Sequence, residues 1–74
     1  MTPIERNYLA QAYMSAWAAV KHDDCIVNPE PYGWFEVRKR GTITIVERVR
    51  AAHLLKGLVV LTGRLERAAV KGTV

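Results

Sequence analysis

The stretch from Thr44 to Lys71 constrains the fold of this chain most, because its apolar residues recur at helical spacing over many turns. Ala51, Leu54, Leu58, Leu61, Leu65 and Ala68 follow a heptad pattern, and Ala52, Leu55, Val59, Thr62 and Ala69 form a second stripe beside it. Arg50, His53, Lys56, Arg64, Arg67 and Lys71 occupy the remaining side as a basic face. Thr44-Ile-Val-Glu47 has the form of a capping box, so the spacing predicts a helix over about 45–71. One seam packs one neighbour, and two seams imply two.

Size sharpens that implication. A chain of 74 residues buries little apolar surface by itself. Its single cysteine, Cys25, excludes an internal disulfide. Self-association is the expected remedy, with the Leu54, Leu58, Leu61 and Leu65 seam packed in a helical hairpin or on a dimer axis. No run approaches the ~20 apolar residues of a membrane span. Glu5 and Arg6 sit where a signal peptide would be apolar, so the expected setting is cytoplasmic, with no membrane partner.

Thr2-Pro3-Ile4-Glu5 is a second capping box, with Pro at the first helical position. It predicts a helix over about 3–22, with Tyr13 and Trp17 supplying most of its burial beside Ala12 and Ala16. Pro29 and Pro31 forbid helix and mark residues 23–33 as a Pro/aromatic loop. Trp34 to Arg38 alternates and Thr42-Ile43-Thr44 can return, which predicts a short β-hairpin over about 34–44. The expected fold is one mainly α domain over residues 1–74. It is an antiparallel two-helix hairpin with the loop and β-hairpin between the helices, assembling as a homodimer in a four-helix arrangement.

The net charge of +4 conceals a division. Residues 1–37 set Arg6 and Lys21 against five acids, a balance of −3, whereas residues 38–74 set nine Lys/Arg against Glu47 and Glu66, a balance of +7. Such a chain attracts acidic surfaces, nucleic acid or a second copy of itself. His22 and Cys25 are three residues apart, but a zinc site needs three or four ligands and only His53 remains as a further histidine. No oxyanion donor or strained glycine turn accompanies the pair. No cofactor, metal or catalytic residue is therefore expected, and the chain reads as non-enzymatic.

Tyr32, Trp34 and Phe35 concentrate three aromatics in four residues, and aromatics dominate binding hot spots. Phe35 is expected as a core lid. The expected partner-binding set is Tyr32 and Trp34 with Arg38, Arg40, Arg48, Arg50 and Lys56. Aromatic anchoring with electrostatic steering suits a protein partner with an acidic surface. The expected function is a small binding protein that docks on that partner and modulates or inhibits it. Phage-encoded inhibitors of host regulators or defence proteins are one class of this size and style.

The run Arg50-Ala-Ala-His-Leu-Leu-Lys-Gly-Leu58 resembles the first helix and turn of helix-turn-helix DNA readers. The resemblance implies a break at Gly57, a recognition helix over Leu58–Ala69 carrying Arg64 and Arg67, and a DNA- or RNA-binding role in transcription regulation. The chain departs from that pattern in two places. Lys56 adds a residue before the glycine, and Val59-Val60-Leu61 is too apolar to enter a groove. Nucleic acid is thus the alternative partner.

Overall fold

The computed structural model describes the backbone of residues 1–72 and the side chains through Ala69. Lys71, expected on the basic face, lies outside the described side chains.

The chain opens with α1 (Pro3–Lys21). Its start is set as the sequence implies: the Glu5 amide donates to Thr2 Oγ1 at 3.2 Å, and the Thr2 amide donates to Glu5 Oε1 at 3.0 Å. Those bonds hold the Glu5 carboxyl below its usual value, the backbone donor acting most strongly. His22 ends the helix in the left-handed conformation, φ 55°, and its amide donates to the Ala18 carbonyl.

Three strands follow, β1 (Cys25–Pro29), β2 (Trp34–Lys39) and β3 (Ile45–Arg50), and the chain finishes with α2 (Ala51–Gly72). The strands form one antiparallel sheet in the order β1-β2-β3, with a 3-10 turn over Pro31–Gly33 between the first two. The core lies between the sheet and the helices. Leu9, Ala10, Tyr13 and Ala16 of α1, Cys25 and Val27 of β1, Phe35 and Val37 of β2, and Leu54 and Leu61 of α2 are all buried.

This α+β architecture corrects the mainly α expectation at three points. Residues 25–29, expected within a loop, form β1: Ile26 and Val27 are β-branched, and Pro29 stands at the end of an edge strand, where a missing N–H is tolerated. Residues 45–50, expected as the first turns of the long helix, form β3. The Ile45-Val46 pair and Val49 prefer a pleated surface, and β2 offers a pairing partner along all six residues. The Thr44–Glu47 capping box does not form, and the helix begins at Ala51, where good helix formers take over. The two helices are therefore linked through a sheet and are not a hairpin.

The four-helix arrangement built from two such hairpins is corrected with it. The leucine seam is covered inside one chain, with Leu54 1% exposed, Leu61 4% exposed and Leu58 half-buried against the core, while Leu55 and Val59 of the second stripe stay exposed. Gly57 does not break α2, so the implied turn is also corrected. An added Cβ there would meet Tyr13 Cε2 at 2.9 Å; the glycine admits the close approach of α1.

The helices cross near that contact. Met1, Ile4 and Tyr8 face Leu55 and Leu58 on one flank of α2, whereas Tyr13, Trp17 and Lys21 face His53, Lys56 and Arg64 on the other. Among the described residues, no helix is long and apolar enough to cross a membrane.

Candidate interaction face

Both helices lie on one side of the sheet, so its other side is uncovered. Alternation along β2 sends Phe35 and Val37 into the core and Trp34, Glu36 and Arg38 the opposite way. The strand register extends that outer surface into three rows: Ile26, Arg38 and Val46; Asn28, Glu36 and Arg48; and Trp34 with Arg50. Five of the seven residues expected to contact a partner thus converge on this face or its rim: Tyr32, Trp34, Arg38, Arg48 and Arg50.

The face is internally organised. The Arg50 guanidinium lies 4.0 Å from the Trp34 ring centroid and that of Arg48 lies 5.4 Å away, within cation–π range. Arg50 Nη1 also donates to the Tyr32 carbonyl at 2.9 Å. Arg48 Nε pairs with Glu30 Oε1, and Arg38 Nε with Glu36 Oε1, each at 2.8 Å. Among the described residues, Arg50 has no carboxylate partner.

Tyr32 marks the rim. Its φ of 62° is unusual for a bulky residue, and its side chain is 91% exposed. Such a conformation costs about 1–3 kcal/mol and persists only where neighbours hold it. Here the Arg50 bond to its carbonyl and Gly33, itself at φ 81°, hold the turn.

Arg6 supports the same turn from the core side. Its Nη2 donates to the Glu30 and Trp34 carbonyls, the latter at 3.0 Å, and its guanidinium lies 5.1 Å from the Phe35 centroid. The sequence reading passed over Arg6. Its signal is a lone basic residue one helical turn from Ala10, on the side that turns toward the core. Glu30 and Glu36, which balance the face, were also missed, because their roles depend on strand register.

The structure separates the other two expected contacts from this face. Arg40 follows β2 and approaches Asp24 at 3.8 Å, while Lys56 lies on α2 in the opposite layer. The Tyr13 and Trp17 pair is stacked at 6.2 Å between centroids and belongs to the helix layer. Cys25 is a buried free thiol on β1, and the described residues contain no group of three or more His, Cys, Asp or Glu placed to hold a metal.

Compared with known protein families, curated proteins and solved structures, the chain shows no significant match to any.

Proposed function

We propose that this chain is a small non-catalytic binding protein that seats its open sheet face on an acidic surface of a partner protein and thereby modulates or inhibits that partner. The observation that carries this reading is the convergence of Tyr32, Trp34, Arg38, Arg48 and Arg50 on one uncovered surface. Trp34 supplies the anchor, already braced by two guanidinium groups, so little side-chain freedom is lost on docking. The arginines steer an acidic surface toward it. Their exposed ion pairs with Glu30 and Glu36 are weak, on the order of 0–1 kcal/mol each, so partner carboxylates can displace them. Masking a surface that the partner needs is how such docking alters its activity. A cytoplasmic setting is part of the same reading and suits the unpaired thiol of Cys25.

The charge balance favours protein over nucleic acid. Three arginines share the face with two glutamates, and two of the three are paired. A phosphate-tracking surface would present several unneutralised cations and bind with a steep salt dependence. Aromatic and arginine side chains on a sheet can also stack on bases, so the experiment includes that outcome.

Affinity capture with the wild-type protein should retain a specific partner that Trp34→Ala and Arg50→Glu both release. With that partner purified, each substitution should weaken binding by at least about tenfold, as expected of hot-spot residues. Full retention by both variants, with circular dichroism showing intact folds, would overturn the reading. So would tight oligonucleotide binding that falls steeply with salt.

A further inference from the structure

A second feature, independent of the sheet face, lies on the helix side. The angle between α1 and α2 encloses an open cleft of about 330 Å³. Tyr13 and Trp17 form its aromatic wall, and Lys21, His53, Lys56 and Arg64 stand around it. No carboxylate is among the residues that line it.

Helical spacing explains the convergence. Positions 53, 56, 60 and 64 step along one stripe of α2, so their side chains share the flank that turns toward Trp17. Gly57 lies in the same stripe and lets Tyr13 approach the α2 backbone, which brings the aromatic wall and the basic stripe together. The basic face legible in the sequence is thus folded around an aromatic surface.

The electrostatics are one-sided. Like charges gathered at one mouth repel, and the described residues give Lys21, Lys56 and Arg64 no ion pair with a carboxylate to relieve them. Lys21 lies 5.6 Å from the Trp17 ring centroid and Lys39 lies 4.8 Å away, which adds positive potential behind the wall. The first turn of α2, which contains His53, holds no acidic residue, so the positive end of that helix dipole adds to the field.

We infer that this cleft binds a small anion carrying one planar ring system, with that system against Tyr13 and Trp17 and a phosphate or carboxylate held by Lys56 and Arg64. Its volume is at the lower end of ligand sites, which suits a mononucleotide or an aromatic acid and not a dinucleotide. Arginine gives a paired, planar contact to an oxyanion, and lysine a point charge beside it. The aromatic wall selects a ring over a bare anion.

The test uses the Trp34→Phe protein, so that Trp17 is the sole indole. Its fluorescence, excited at the red edge of the indole band where adenine does not absorb, is followed while adenosine monophosphate, phenylacetate, adenosine and sodium phosphate are added separately. The expected result is saturable binding of adenosine monophosphate, of phenylacetate, or of both, at least about tenfold tighter than adenosine or phosphate alone. Which of the two binds identifies the anionic group. Lys56→Ala with Arg64→Ala should weaken that binding by at least about tenfold, while Arg67→Ala, on the same helix but outside the cleft, should leave it unchanged. Three results would overturn the inference: no saturable signal in the millimolar range, affinity unaffected by the Lys56 and Arg64 substitutions, or equal weakening by Arg67→Ala. Binding of oligonucleotides without either small anion would overturn it as well. Because Trp34 is already replaced, loss of sheet-face docking and failure of the cleft remain separate outcomes.

Discussion

Gly57 and Gly63 are six residues apart on one helix, yet their surroundings assign them opposite roles. Alanine favours helix over glycine by about 1 kcal/mol at either position, all else equal. At Gly63 nothing lies within 4 Å of an added Cβ, so Gly63→Ala should stabilise the protein by about 0.5–1 kcal/mol. At Gly57 the added atom meets the buried Tyr13 ring at 2.9 Å, and overpacking of this kind costs about 1–3 kcal/mol. Gly57→Ala should therefore be destabilising by about 1 kcal/mol despite the better helix former. Urea titrations of the two variants beside the wild type check the pair. Equal gains at both sites would show that α1 does not approach α2 as closely as described.

At the scale of elements, two capping boxes with the same sequence form met different fates. Thr2–Glu5 is followed by residues that favour helix, and its reciprocal bonds form. Thr44–Glu47 overlaps Ile43-Thr-Ile-Val and has Val49 two residues beyond it, a run better suited to a strand beside β2. Thr2→Ala should cost about 1 kcal/mol of stability, whereas Thr44→Ala should change it by less than about 0.5 kcal/mol. Thermal unfolding of both variants distinguishes the two, and a large loss at Thr44 would contradict the strand assignment. This pair also shows what was legible in the sequence. Local signals located α1, the aromatic turn, β2 and the leucine seam. They did not reveal β1, because a three-residue apolar start beside Asn28-Pro29 becomes a strand only when β2 pairs with it. Nor do they reveal the interaction face: the expected contact set holds Trp34, Arg48 and Arg50 together with Arg40 and Lys56, and only the antiparallel register shows which of them share a surface. Nor does the sequence connect Lys21 with His53 and Arg64 of the basic face; the packing of α1 on α2 gathers them around Trp17.

At the scale of the whole molecule, stability has a predictable alkaline limit. Burial raises the Cys25 thiol above its ordinary value of 9.0, with Lys39 opposing. Burial also raises the Tyr13 phenol above 10.0, with the Cys25 and Glu47 charges adding to it. Groups whose folded pKa is raised stabilise the fold fully below their unfolded pKa, and that stability is lost as pH rises through the folded values. The urea midpoint should fall progressively as pH rises beyond about 9, and Cys25→Ala should flatten the first part of the fall. An unchanged midpoint up to about pH 11 would show that neither group is buried as described.

The passage from Arg50, the last residue of β3, to Ala51, the first of α2, has no intervening loop. With no loop between them, the direction in which α2 leaves the sheet is set by the last residues of β3. Arg50 braces Trp34 on one side of the molecule, and the helix that starts at the next residue forms one wall of the cleft on the other. One backbone step thus separates a residue of the outer sheet face from the element that walls the cleft, and Leu54, buried one turn on, anchors that step in the core.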